Sequence, residues 1–336
     1  MTPSPLRFGL IGTGRIGQVH AASITADPDA TLAWVADPFV EGATVLADRY
    51  GCRSTASSEE LITSGEVDAI LVASSTPTHV DLIAESVDAG LPVLCEKPID
   101  LDIGRVDALR PKVASAGVPV ALGFNRRFDP SFADARERVL RGEIGALEQL
   151  SIISRDPSAP PAAYLAVSGG IFRDMTIHDF DMARFFLPDI IEVSAVGTNT
   201  FDDGAREQGD FDTAVTVLRS ASGAVVTVTN SRHCAFGYDQ RIEAFGERGM
   251  ISVENARTSL VSVSTATAVE AKPPYQRFFL ERYAQAYAAE LREFIKLARG
   301  EASTSPTFED GRAALILADA AQRAATERIT VPVDLS

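Results

Sequence analysis

An apolar run over residues 6–11 ends in Gly12-Thr13-Gly14-Arg15-Ile16-Gly17, and a helix-like stretch follows at once over 16–25. Glycines spaced G-x-G-x-x-G between a strand and a helix each have a physical task. The first permits a tight turn, the second lets backbone approach a pyrophosphate, and the third lets the helix pack closely on the sheet. The helix amino terminus then offers free N–H groups and the positive end of its dipole to an anion. A second apolar run, 30–36, ends at Asp37, twenty residues beyond Gly17. A carboxylate there accepts hydrogen bonds from the adenosine ribose hydroxyls and repels a 2′-phosphate, so the pattern predicts NAD in preference to NADP. Arg15 keeps the alternative open, because a guanidinium in the loop could pair with that phosphate.

The alternation continues with an apolar run at 69–73 and a helix over 78–89, a run at 93–95 and a helix over 103–115, and a run at 118–122. Strands alternating with helices are the sign of parallel strands joined by helical crossovers, hence an α/β, doubly wound Rossmann sheet. After Phe124 the rhythm changes. A helix over 130–141 is followed by strand-like runs at 146–154, 192–200, 211–218, 224–230, 240–245 and 250–253, several joined by glycine-containing turns. Helix-like stretches at 171–187, 278–299 and 308–325 complete the chain. The second half therefore reads as α+β, a large, mainly antiparallel open sheet with helices on one side. The expected division is 1–124 for a dinucleotide-binding domain, 125–306 for a substrate and oligomerisation domain, and 307–336 for a helix and tail that can return to the first.

A net charge of −15 with no clustered Lys/Arg stripe excludes nucleic acid as a partner. No run of about 18 apolar residues is present, so no membrane span is expected. Cys52, Cys95 and Cys234 are odd in number and form no CxxC pair, which points away from a disulfide framework or a metal site and toward a reducing, cytoplasmic setting.

Two further segments carry chemistry. Glu96-Lys97-Pro98 follows the 93–95 strand, at a carboxyl-terminal strand end where open α/β sheets bind ligands. In the 171–187 stretch, Asp174, His178 and Asp181 are spaced four and three apart, so on an α-helix they share one face. The loop Ser74-Ser75-Thr76-Pro77-Thr78-His79 is expected beside the nicotinamide ribose, although Thr76-Pro77 and Thr78 also read as the cap of the next helix. His20 and Gln18 are assigned to the core or surface of the first helix, and the acidic 204–210 loop to solvent.

The glycine motif, Glu96-Lys97-Pro98, Gly123-Phe124-Asn125-Arg126-Arg127-Phe128-Asp129 and Asp174-x-x-x-His178 together resemble the glucose–fructose oxidoreductase and inositol dehydrogenase (Gfo/Idh/MocA) family, over nearly the whole chain. Arg126-Arg127-Phe128-Asp129, the Asp174/His178 spacing and Phe236-Gly237-Tyr238-Asp239 are most similar to its inositol dehydrogenases. The resemblance implies NAD-dependent oxidation of a secondary hydroxyl on myo-inositol or a related cyclic polyol. Lys97 would hydrogen-bond the reacting hydroxyl, His178 would take its proton and Asp174 would orient His178. A neutral imidazole suits that base role near pH 7, and an ammonium stabilises developing alkoxide. A cis peptide at Pro98 is also implied.

The expected cofactor contacts are Gly12, Thr13, Gly14, Arg15, Ile16, Asp37, Ser74, Thr76, His79, Glu96 and Lys97. Arg127, Asp156, Asp179 and Tyr238 are the further candidates for the polyol hydroxyls. Ser154-Arg155-Asp156-Pro157 departs from the His-Arg-Asn-Pro pattern of inositol dehydrogenases, and Phe236 stands for an expected Tyr, changes that alter polar contacts with the ring and admit another stereoisomer or a sugar. A silent NAD-sensing protein and an enzyme using NAD transiently on glycosides are the other classes open to this scaffold. Apolar alternation at Val215, Val217, Val226 and Val228, with the resemblance, implies a homo-oligomer, a dimer or tetramer.

Overall fold

The computed structural model describes residues 4–336 and divides into two compact units: the chain up to Phe128 with Gln285–Ala313, and Asp129–Ala284 with Ala314–Ser336. The first unit holds six parallel strands, β1 (Leu6–Ile11), β2 (Ala30–Ala36), β3 (Arg53–Thr55), β4 (Ala69–Val72), β5 (Val93–Cys95) and β6 (Val120–Leu122), in the order β3-β2-β1-β4-β5-β6. This is the doubly wound arrangement the alternation predicts, with its switch in strand order between β1 and β4. Strands β4, β5 and β6 are buried at every position, which is why they read as unbroken apolar runs rather than alternating ones. Sequence patterning passes over β3, whose Arg-Ser-Thr edge carries no apolar signal.

The core of this unit includes Phe8, Leu10, Ile24, Leu46, Leu71 and Leu94, and also Leu291, Phe294 and Ile295 from the helix Ala284–Ala298. The Phe8 and Phe294 rings meet at 6.0 Å. The units thus differ from the expected linear division at 124 and 306: a late helix completes the first core, and the helix Phe308–Glu327 passes from one unit to the other at Ala313. Spacing marks an apolar helix face but does not say which core that face covers.

The second unit is built on seven strands: β7 (Leu147–Arg155), β8 (Ile190–Thr198), β9 (Thr213–Ser220), β10 (Val225–Ser231), β11 (Asp239–Gly246), β12 (Gly249–Val253) and β13 (Thr330–Pro332). Their order is β12-β11-β7-β10-β9-β8-β13, antiparallel throughout except for the β7/β10 pair. Period-two alternation turns Leu150, Ile152, Leu218, Val226 and Val228 inward and leaves Val196, Val215, Val217, Phe245 and Met250 exposed. The tail enters this sheet as β13 instead of returning to the first unit.

Two local expectations are corrected. The 171–187 stretch opens with a π-helical turn, Phe172–Thr176, before the α-helix Ile177–Phe186. A π turn takes in an extra residue, so Asp174 stands on a wider turn than the α-helix that carries His178 and Asp181; Asp174 and His178 are half-buried and Asp181 is buried. The 204–210 segment is solvated only in part: Arg206, Glu207, Gln208 and Gly209 are exposed, but Asp202 caps a short helix, Asp203–Glu207, and Asp210 is buried. Among the described residues no helix is long and apolar enough to cross a membrane.

Candidate functional site

In the first unit, the carboxyl ends of β1, β2, β4 and β5 lead into the glycine loop, Asp37, the Ser74–His79 loop and Glu96-Lys97. Gly12 has φ +100°, and a Cβ there would lie 2.5 Å from the Ala73 carbonyl carbon. A Cβ on Gly17 would fall 2.1 Å from the Gly12 carbonyl oxygen. Gly14 is the opposite case: it is the N-cap of the helix Arg15–Ala26, and a Cβ on it would meet nothing within 4 Å. The loop therefore closes tightly on its protein side and stays open at the helix amino terminus, the arrangement a pyrophosphate needs.

Asp37 is half-buried and already engaged. Its Oδ2 accepts from the Thr13 backbone N–H and hydroxyl, both at 2.8 Å, and its Oδ1 accepts from the Phe39 N–H at 2.9 Å. It ties the glycine loop to the end of β2 and keeps about one of its roughly four acceptor positions for a ribose hydroxyl. Beside the same loop a cleft of about 290 Å³ is lined by Thr13, Gln18, Glu41, Gly42, Val45, Leu46 and Arg49.

Ser74 and Thr76 are partly exposed, and Ser74 Oγ lies 2.7 Å from Thr78 Oγ1. His79 is buried, with Nδ1 2.8 Å from the Pro98 carbonyl oxygen and Nε2 3.1 Å from that of Ser74. Burial holds its ionisation below the usual histidine range, against the opposing pull of the Pro98 and Ser74 carbonyls. His79 thus braces the Ser74 loop against the Lys97–Pro98 turn, whose peptide bond is cis. Lys97 itself is half-buried.

Behind Lys97 lies a buried acidic cluster that sequence reasoning missed. Glu96 Oε1 is 2.7 Å from His20 Nε2, and the His20 ring packs edge-on against Tyr287. Gly123 makes room for this carboxylate, since a Cβ there would lie 3.0 Å from the Glu96 carboxyl carbon. From the same helix as Tyr287, Glu290 is fully buried, and neither of its oxygens has a hydrogen-bond partner among the described residues. Burial first, and then the nearby charge of Glu96, push its carboxyl well above the usual range. The only signal available in the sequence was a histidine on the buried face of the first helix.

In the second unit, Asp174 stands on the π turn and His178 on the first turn of the α-helix that follows. Tyr164 donates its hydroxyl to Asp174 Oδ1 at 2.7 Å, and the buried Arg232 reaches Oδ2 at 3.3 Å. Of the polyol candidates, Arg127 pairs with Asp310 at 3.1 Å within the first unit, and Asp156 is half-buried at the end of β7. Asp179 is fully buried and its Oδ2 accepts from Asn230 Nδ2 at 2.7 Å. Tyr238 is buried against the Phe278 and Tyr283 rings. Ser154, standing where a histidine was expected, is buried and donates to Gln240 Oε1 at 3.0 Å.

A parallel sheet with a phosphate-cradling glycine loop, followed by a separate sheet unit bearing an Asp–His pair on a helix, defines a dinucleotide-dependent oxidoreductase architecture. Residues 6–124 match the NAD-binding Rossmann-fold domain of the oxidoreductase family, and 132–252 match the GFO/IDH/MocA C-terminal domain. The chain belongs to the Gfo/Idh/MocA oxidoreductase family. It is 43% identical to an inositol 2-dehydrogenase of Rhizobium meliloti, covering 98% of this chain and 99% of the relative. A solved myo-inositol dehydrogenase of Corynebacterium glutamicum is 51% identical, superposes with a TM-score of 0.95, and covers 98% of this chain and 99% of its own. The scyllo-inositol dehydrogenase of Lactobacillus casei, solved with NAD(H) and scyllo-inositol, is 27% identical with a TM-score of 0.89, over 98% of this chain and 99% of its own.

Proposed function

We propose that this protein oxidises one secondary hydroxyl of an inositol-class cyclic polyol to a ketone, with NAD as the acceptor. The half-buried Asp174–His178 pair carries the reading, in a chain alike over its whole length to proteins named inositol dehydrogenases. Gly12, Thr13, Gly14, Arg15 and Ile16 would hold the pyrophosphate, Asp37 a ribose hydroxyl, and Ser74, Thr76, His79, Glu96 and Lys97 the nicotinamide end. Bound NAD supplies the hydride acceptor. Lys97 donates a hydrogen bond to the reacting oxygen, His178 removes its proton, and Asp174 fixes the imidazole orientation. Arg127 and Asp156, both half-buried, are the ring contacts we favour over Asp179 and Tyr238, which are buried. Asp37 disfavours a 2′-phosphate, so NADP is the poorer cofactor.

We assign the protein to the cytoplasm, in keeping with Cys52, Cys95 and Cys234 all being free thiols. We also assign it a homo-oligomeric state, dimer or tetramer, through the exposed sheet face. The test is absorbance of NADH on mixing the protein with NAD and a panel of inositols and sugars. One cyclic polyol should be turned over, and Lys97→Ala and His178→Ala should each lower kcat by about 10²–10⁴ with the melting temperature kept. Absence of net NADH formation on every polyol would overturn the reading.

A further inference from the structure

Arg232 follows β10 and is entirely removed from solvent, with its backbone N–H donating to the Asp212 carbonyl at 2.9 Å. A buried guanidinium needs its charge compensated, because an uncompensated charge there is strongly destabilising; here both terminal nitrogens are paired and Nε has no hydrogen-bond partner among the described residues. One terminal nitrogen reaches Asp174 Oδ2 at 3.3 Å, and the other reaches Asp210 Oδ2 at 3.1 Å. The second oxygen of Asp210 accepts the Ile171 N–H at 2.8 Å, at the root of the helical stretch that carries Asp174. From the other side, Tyr164 donates to Asp174 Oδ1. Burial, and then the charge of Asp174, push the phenol above its usual range, so it remains a donor.

We propose that Tyr164 and Arg232 are positioning residues that clamp the Asp174 carboxylate from both oxygens, with Asp210 anchoring Arg232 in turn. The inference rests on the assignment of Asp174 as the partner of the base His178, and goes beyond it by naming what holds that partner still. A carboxylate held at both oxygens by fixed donors cannot rotate about its terminal bond, and small misplacements in such an array are expensive in rate. The four residues thus form one connected polar chain within the second unit.

The experiment is steady-state kinetics with NAD and the best polyol of the panel, on Tyr164→Phe, Asp210→Asn, Arg232→Lys and Arg232→Met. Asp174→Asn, alone and combined with Tyr164→Phe, completes the set. Tyr164→Phe removes one hydroxyl from a half-exposed ring and is the variant least able to disturb folding. We expect it to lower kcat about tenfold with the KM for NAD unchanged. Arg232→Met should lose about 10²-fold, and Arg232→Lys should recover part of that. In the Asp174→Asn background, Tyr164→Phe should have no further effect, because its action passes through Asp174. Wild-type kcat in Tyr164→Phe, or losses that multiply with Asp174→Asn, would overturn the clamp while leaving the base assignment intact. Near-wild-type kcat in Asp174→Asn itself would instead remove the reading on which the clamp depends.

Discussion

Glu290 shows what a single buried carboxyl does to the molecule's response to pH. Its pKa lies well above the ordinary 4.5 because it is buried and faces the charge of Glu96, so the folded chain keeps a proton there that the unfolded chain releases. Where the folded state binds the extra proton, stability falls as pH rises. The contribution is therefore fully present below about pH 4.5 and is lost as pH climbs through the raised value. Glu290→Gln has nearly the same shape and cannot ionise. Its melting temperature, relative to the parent, should rise steadily from pH 4.5 to pH 8. A difference that stays flat across that range would show that Glu290 titrates normally. No pattern in the sequence announces this residue: Glu290 lies on a helix whose apolar positions alone suggest an ordinary amphipathic face, and its partner Glu96 is far away along the chain.

At the scale of elements, the glycine loop separates two duties that a motif reading merges. Gly17 serves the protein, since a Cβ would collide with the Gly12 carbonyl and force the helix Arg15–Ala26 away from β1. Gly14 serves the ligand, since a Cβ has open space around it and an allowed backbone, φ −63°. Gly17→Ala should therefore destabilise the fold by about 1–3 kcal/mol in urea denaturation. Gly14→Ala should melt like the parent yet bind NAD at least about tenfold more weakly, because the added methyl stands where backbone meets pyrophosphate. Equal effects of both on stability would contradict this division of labour. The loop, the strands β1, β2, β4, β5 and β6, and the Asp174/His178 helix were legible because short-range periodicity and motif spacing encode them. What stayed hidden depended on long-range contact. The polar edge strand β3, the burial of Asp210 and the docking of Phe294 against Phe8 each involve a partner distant in sequence.

At the scale of the whole molecule, the seven-stranded sheet has one face in its core and one that carries Val196, Val215, Val217, Phe245 and Met250 into solvent. Val196, Val215 and Val217 cluster on the neighbouring strands β8 and β9, and Phe245 and Met250 on β11 and β12, and exposed apolar clusters of this kind mark interaction surfaces. The face also holds the exposed Glu192–Arg219 pair on neighbouring strands β8 and β9, so it has little net charge of its own to repel an identical surface. A two-fold contact between copies would bring this patch against itself, which is the commonest solution for soluble oligomers. Light scattering on the parent protein should then report a multiple of the 35.8 kDa chain mass. Val215 and Val217 lie on the central part of β9 and point to solvent, so their replacement by Glu leaves the inward residues Ala214, Thr216 and Leu218 untouched. Val215→Glu/Val217→Glu should keep its secondary structure while its mass falls toward that of a single chain, because carboxylates would be desolvated against an apolar partner. A parent protein that runs at 35.8 kDa at micromolar concentration would show that this face stays open in solution.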